Sequence, residues 1–282
     1  MGSLPVVWSM WTRAAGPTSG SGYSKIRYRA SAGFDGSTHG VESATPHLTF
    51  AGPLKKSKVH IFQATGYGYD TARVPSLPNP NNVRLVEKIN TYTQLDWDPS
   101  ASHRLTAVLA LDPQNMDYAN INTFNPQPVT ANDRERDYFL SATHRWILAN
   151  GGFVRTLFSA KRLDSRVYPA TLTGEMVLFP EQNSGSYFEQ QQRNTQLYQW
   201  SQALHLRPIE HVGRRHLFTV GYSYAHSSYQ GEVRNFPLQV LREDGTLSNT
   251  ISYGARAGFE CRGKRFRSLR ARQLAGASAP DH

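Results

Sequence analysis

Ile89-Asn90-Thr91-Tyr92-Thr93-Gln94-Leu95-Asp96-Trp97 carries two surfaces on one extended chain. Ile89, Leu95 and Trp97 share one face with two threonines, while Asn90, Gln94 and Asp96 share the other, so one side suits lipid and the other water. The same period-two rhythm runs from about Lys25 to Gly258. It predicts an all-β chain, an antiparallel transmembrane β-barrel.

Working outward from that stretch, ten strands are expected: Lys25 to Phe34, Ala44 to Ala51, Val59 to Tyr69, Arg84 to Trp97, His103 to Leu111, a strand marked by Tyr138, Leu140, Ala142, Trp146 and Leu148, Phe153 to Leu163, one marked by Tyr198 to Leu206, one by Phe218 to Tyr224, and Thr250 to Phe259. The connections alternate. Short polar turns stand at Pro53–Lys58, Asp98–Ser102, Asn150-Gly151-Gly152 and Ile209–Arg215, and long ones at 35–43, 71–83, 112–135, 164–194 and 228–249. Asn150-Gly151-Gly152 is a strong tight-hairpin signal. In an antiparallel barrel alternate connections emerge on the same side, and bacterial barrels keep short turns in the periplasm and long loops outside. Many strands approach the 9 to 11 residues needed to cross a bilayer at a tilt.

Composition narrows the class. Of the 282 residues 39% are hydrophobic and 18% charged, and the mean hydropathy is −0.53. That is polar for a membrane protein, but it is the expected balance when every second strand residue faces a wet interior. No run approaches 18 apolar residues, which excludes a helical membrane protein. The formal charge of +10 is unevenly placed, with Arg262, Lys264, Arg265, Arg267, Arg270 and Arg272 crowded at the C-terminus. That tail shows neither alternation nor aromatic platforms, so no nucleic acid is expected as a partner. One cysteine, Cys261, forms no internal disulfide and no zinc-site spacing. Met1 to Trp11 lacks the basic leader and apolar core of a signal peptide.

Several phrases resemble the TonB-dependent outer-membrane receptors, in particular the Oar-like group with a carboxypeptidase-regulatory-like leader domain, over residues 8 to 259. These are Thr45-Pro46-His47-Leu48-Thr49-Phe50-Ala51-Gly52-Pro53, Arg73-Val74-Pro75-Ser76-Leu77, Leu111-Asp112-Pro113-Gln114-Asn115, the loop phrase Asn122-Thr123-Phe124-Asn125-Pro126-Gln127-Pro128-Val129-Thr130, Gly174-Glu175-Met176-Val177-Leu178 and Gly185-Ser186-Tyr187-Phe188. Trp11-Thr12-Arg13-Ala14-Ala15-Gly16 resembles the strand that closes the plug domain. The resemblance implies residues 1–20 as the end of a plug, 21–259 as a partial barrel, and 260–282 as a basic tail that is disordered or read out of frame. It also implies a cell outer membrane location for the parent protein, lipid and lipopolysaccharide around the wall, TonB engaged only through plug segments absent from this chain, and uptake of a scarce small ligand. A family member would carry a signal peptide, a TonB box and a whole plug, and would continue to about 22 strands.

No catalytic constellation stands out, so no enzyme activity and no cofactor are expected. Gly36-Ser37-Thr38-His39-Gly40 puts Thr where a nucleophile elbow needs Ser. The histidines lack metal spacing, and Asp112-Pro113-Gln114-Asn115-Met116-Asp117 lacks the order of a calcium loop, so no metal site is expected. Ligand contact is expected instead from the two longest loops, through Tyr118, Asn122, Phe124, Asn125, Tyr187 and Phe188, because long loops with aromatic and amide side chains capture ligands. The alternative is a soluble β-sandwich with a carbohydrate-binding or surface-structural role, whose strands also alternate. An adhesive barrel without transport reads the same.

Overall fold

The computed structural model describes residues 21–25, 28–32, 38–211, 214–254 and 257–275. The expected plug end at 1–20 and the last residues of the tail lie outside the described residues. The first two wall positions are each divided, between β1 (Ser21–Lys25) and β2 (Tyr28–Ala32), and between β3 (Thr38–Ala44) and β4 (His47–Lys55). The second divides at Thr45-Pro46, where proline has no N–H to give to a ladder. Then follow β5 (Val59–Arg73), β6 (Val83–Ser100), β7 (His103–Asp117), β8 (Ala131–Ile147), β9 (Phe153–Pro169), a short β10 (Met176–Leu178), β11 (Glu189–His205), a short β12 (Ile209–His211), β13 (Arg214–Asn235), β14 (Leu238–Leu241), β15 (Leu247–Ile251) and β16 (Ala257–Ala275).

Sequence neighbours pair throughout, in the order β1-β4-β5-β6-β7-β8-β9-β11-β13, with β16 added to β13. Counting each divided position once, ten antiparallel positions cross the wall among the described residues, as the alternation predicts. Their connections alternate in length as expected. The Asn150-Gly151-Gly152 turn forms: Gly151 adopts φ +85°, which Cβ-bearing residues avoid, its N–H donates to Leu148 O at 3.0 Å, and Asn150 Oδ1 accepts from the Gly152 N–H at 3.1 Å.

Register carries one face across the wall. Leu109 lies opposite Leu140 and Leu111 opposite Tyr138, Ala142 opposite Phe158 and Trp146 opposite Val154, Phe158 opposite Trp200, and Trp200 opposite Tyr224. These side chains form an apolar outer face, yet Leu140 is 44% exposed, Trp146 44% and Trp200 42%. The intervening positions include Ser141, Thr143, Ser159 and Ser201 beside Phe139 and Leu157, a more polar inner face. The other described sheet is the small β10-β14-β15 unit, so nothing comparable packs on either side of the wall. A β-sandwich would cover one face with a second sheet; this wall leaves its apolar face for lipid. It is a partial transmembrane β-barrel.

Several polar groups on the outer face satisfy one another. Gln63 Nε2 donates to Thr65 Oγ1 and Thr91 Oγ1, each at 2.8 Å, Thr93 Oγ1 donates to Gln63 Oε1, and Tyr222 Oη donates to Gln202 Oε1 at 3.0 Å. Satisfied in this way, they escape most of the cost of a bare polar group in hydrocarbon.

Two expectations change. The strands run further outward than alternation indicated: β7 continues to Asp117, β8 starts at Ala131, β9 ends at Pro169 and β11 starts at Glu189. The connections thereby shrink to 74–82, 118–130, 170–188 and 236–256. A 17-residue strand such as β8 spans roughly 58 Å at ~3.4 Å per residue, well beyond a bilayer core of ~30 Å. Above the lipid both faces meet water, so alternation ends while backbone pairing goes on. The tenth strand is also displaced: Thr250 and Ile251 belong to β15, and β16 runs through the basic segment expected to lack structure. The long edge of β13 offers unpaired backbone groups, and pairing with them needs no particular side chains. The outcome is imperfect: Phe266 falls opposite Tyr224 on the outer face with rings 4.6 Å apart, but Lys264 and Arg262 fall on that same face opposite His226 and Ser228.

The face assignment makes a direct prediction. In detergent micelles Leu140→Arg should lower stability by about 2–4 kcal/mol, the cost of a lipid-face arginine, seen as a lower urea midpoint and loss of heat-modifiable migration. The adjacent Ser141→Arg, on the inner face, should leave both nearly unchanged.

Candidate functional site

The best-packed apolar core of the described residues lies in the long loops, not in the wall. Val129 (1% exposed), Met176 and Leu238 are buried together, with Leu178, Phe188 and Val240 packed on them. Each comes from a different crossing of the same end: Val129 from 118–130, Met176, Leu178 and Phe188 from 170–188, Leu238 and Val240 from 236–256. β10 pairs in parallel with β14, and β14 antiparallel with β15, which fixes the third and fourth loops together.

Hydrogen bonds extend the union to loop 74–82. Gln127 Nε2 donates to Val83 O at 2.7 Å and Ser76 Oγ to Thr123 Oγ1 at 3.0 Å. The Asn183 N–H donates to Phe124 O at 2.8 Å, Asn183 Nδ2 to Asn125 Oδ1 at 2.7 Å, and Thr171 Oγ1 to Pro128 O at 2.7 Å. The Phe236 N–H donates to Phe188 O at 2.7 Å. Gly185, at φ +85°, passes so close to Glu175 O that a Cβ would lie 1.9 Å from it. Four loops therefore form one cap over the end of the wall.

The six residues expected to meet ligand all lie in this cap but differ in what they are free to do. Asn122 closes its own loop, its Oδ1 accepting from the N–H groups of Phe124 and Asn125 at 2.9 and 3.0 Å. Asn125 bridges to Asn183. Tyr118 is half-buried at φ +60°, a conformation costly for an aromatic residue, with its N–H donating to Asn132 Oδ1 at 3.1 Å. Phe188 packs on the core. Phe124 stands 53% exposed, and Tyr187 is half-buried against Phe188, ring centroids 5.0 Å apart.

Tyr253, 39% exposed, completes a Tyr187–Phe188–Tyr253 aromatic cluster, its ring stacked 5.6 Å from Phe188. Sequence reasoning missed it by placing Thr250 to Phe259 in the wall; the unalternating Ser252-Tyr253-Gly254 was the available signal. Burial pushes the Tyr187 phenol above its ordinary pKa, and the neighbouring Glu189 and Tyr253 add to the shift. Asp244, in the turn between β14 and β15, is held below the usual carboxylate range by the Thr246 hydroxyl and then by the Thr246 N–H. Among the described residues no group of three or more His, Cys, Asp or Glu is placed to hold a metal ion. The cap offers aromatic rings, amides and hydroxyls, a surface suited to neutral or aromatic ligands.

Solved structures share this arrangement. The outer membrane transporter YddB from Escherichia coli superposes with a TM-score of 0.61 at 14% identity, over 85% of this chain and 33% of that one. The likeness is one of fold, that of part of an outer-membrane β-barrel wall. The ferripyoverdine receptor of the outer membrane of Pseudomonas aeruginosa, bound to ferripyoverdine, gives 0.53 at 15% identity over 82% of this chain and 32% of its own. A chain of the FpvAI–pyocin S2 complex gives 0.52 at 13% identity, over 82% of this chain and 37% of that one. The chain thus spans about a third of the length of these structures. No family model and no curated protein matches it.

Two outcomes test the cap. Leu238→Ala should loosen it by about 2–5 kcal/mol, the usual cost of truncating a buried leucine, so limited proteolysis should cut 170–188 and 236–256 faster while the wall stays protected. The raised Tyr187 pKa means that the neutral phenol is favoured in the folded cap. Its contribution is full below the ordinary tyrosine pKa of 10.0 and is lost as pH rises through the higher folded value. In an ultraviolet titration, Tyr187→Phe should remove a phenol component that titrates above pH 10.0.

Proposed function

We propose that this chain supplies ten neighbouring strands, and four of the external loops, of a TonB-dependent receptor that takes up a scarce small ligand across the outer membrane. Within that family the phrases at Thr45–Pro53 and Asn122–Thr130 favour the Oar-like group with a carboxypeptidase-regulatory-like leader. The observation that carries the proposal is where packing occurs. An apolar wall face is left open, while the buried apolar cluster holds three loops together at the long-loop end and hydrogen bonds tie a fourth to them. A structural sheet needs no such cap; a receptor needs a fixed surface there, because ordering loops in advance lowers the entropy lost on capture.

In this reading the wall lies among outer-membrane lipid, with lipopolysaccharide around its long-loop end. Energy reaches it through TonB acting on a plug inside the barrel. Phe124, Tyr187 and the added Tyr253 make first contact with ligand, while Asn122, Asn125 and Phe188 hold their positions and Tyr118 sets the exit of β7. The role is transport, not catalysis.

Cells expressing a complete receptor that contains this chain should gain energy-dependent uptake of a labelled probe from a panel of iron–siderophore, oligosaccharide and peptide ligands. Replacing Phe124, Tyr187 and Tyr253 together by Ala should cut that uptake at least tenfold with surface expression unchanged. Uptake that survives deletion of both 118–130 and 170–188 would sink the proposal.

A further inference from the structure

The inner face holds a feature that transport through the cap does not use. Arg104 lies directly opposite Arg145 on the neighbouring strand, and Arg145 directly opposite Arg155 on the next. Three guanidinium groups thus form one row across β7, β8 and β9 at the short-turn end. Like charges directly opposite are destabilising in a sheet, so a row of three requires compensation. Only Arg104 has it: its Nε and Nη2 donate to Asp98 Oδ1 and Oδ2 at 2.7 and 3.2 Å. Arg145 lies over the Phe153 ring, 4.3 Å from its centroid, and Phe153 stacks on His205 at 4.2 Å. Among the described residues no carboxylate forms an ion pair with Arg145 or Arg155.

The row borders a cavity of about 330 Å³ lined by Arg104, Thr106, Thr143, Arg145, Phe153 and Arg155. Thr106 and Thr143 stand opposite each other one row further in. Guanidinium forks beside hydroxyls are the donor set that carboxylates and phosphates take. The dimensions favour more than one anion. Strands ~4.8 Å apart place the outer two arginines roughly 10 Å from each other, whereas alternate side chains of an extended peptide recur every ~6.8 Å.

We propose that the Arg104–Arg145–Arg155 row is a seat for an acidic peptide segment lying against the inner face at the short-turn end, with two carboxylates, at alternate positions, shared among the three guanidinium groups. The seat rests on the register that aligns the three arginines on one face of the sheet, and not on any ligand of the cap.

The test uses the full chain in detergent micelles at low ionic strength, with a fluorescent (Glu-Gly)4 peptide as probe and (Gln-Gly)4 and inorganic phosphate as controls. The Glu peptide should bind, and Arg145→Gln/Arg155→Gln should weaken it at least tenfold, while Arg162→Gln on the outer face should not. The double variant should also unfold at a higher temperature than the parent chain when no peptide is present, because repulsion has been removed; this second readout holds even if peptide affinity is low. Equal binding by the double variant, or equal binding of the Gln peptide, would overturn the proposal. Displacement of the Glu peptide by phosphate at matching concentration would also overturn it, in favour of a small-anion site. A chain that proves monomeric and folded without detergent would remove the transporter proposal but leave the arginine seat standing, since peptide binding is measured equally well in plain buffer.

Discussion

Backbone groups that cannot reach water must find one another, and every other property of this chain follows from that constraint. Across β8, β9, β11 and β13 the pairing runs without a shift, from Ala131 opposite Pro169 to Ile147 opposite Phe153 and from Glu189 opposite Asn235 to His205 opposite Thr219. An unsatisfied amide in hydrocarbon costs several kcal/mol, more than most side-chain contacts contribute. Continuity of the ladder is therefore worth more than the quality of any side-chain pair. This is also why β16 can be recruited to the edge of β13 despite placing Arg262 and Lys264 on the outer face. In the rows marked by Leu109, Leu140, Phe158, Trp200 and Tyr224 backbone pairing and side-chain alternation agree, and at β16 they part.

The same constraint explains why the densest packing is found in the loops. A wall one sheet thick has no interior of its own; its apolar side chains are meant for lipid and its polar ones for the enclosed space. Loops above the lipid have no such arrangement. They have lost the guidance of the bilayer, and they must bury Val129, Met176 and Leu238 in one another or remain loose. The parallel pairing of β10 with β14 joins two loops far apart in sequence, and the Asn125–Asn183 and Ser76–Thr123 bonds draw in the other two. The cap is in effect a small globular unit made from four excursions of a membrane sheet.

What could be read from the residues divides along the lipid boundary. Inside it, two solvents impose period two, and strands such as Arg84 to Trp97 and the Asn150-Gly151-Gly152 hairpin were legible to within a few residues. Outside it, the code disappears. Arg134, Arg136, Asp164 and Arg166 belong to paired strands, yet they resemble loop residues because water lies on both sides. The cap was legible only as composition. Asn122 is consumed locally, by N–H groups two and three residues on, but that Asn125 is consumed too depends on a loop 58 residues away, and the other loop-to-loop bonds that decide which rings stay presented span comparable separations. Tyr253 was hidden for the same reason, since its partner Phe188 arrives from another crossing.

The two ends of the wall are built on opposite principles, and their difference bears on how the molecule works. At the long-loop end the cap's own amides and hydroxyls find partners within the fold: Asn122 closes a turn, Asn183 bonds Asn125, Thr171 bonds the Pro128 carbonyl, and the core is filled. At the short-turn end the arginine row on the inner face is left short of partners, although Asp98 shows that the sequence can supply a carboxylate to that region when one is required. A wall that needed only to stand in a membrane would alternate its inner charges, as Lys161 does with Asp137 at 2.9 Å further up the same face. Unpaired like charges in register raise the free energy of the empty wall and lower it again when an anionic partner arrives. In the two proposals made above, one end is packed in advance of any ligand, and the other is completed by an anionic partner.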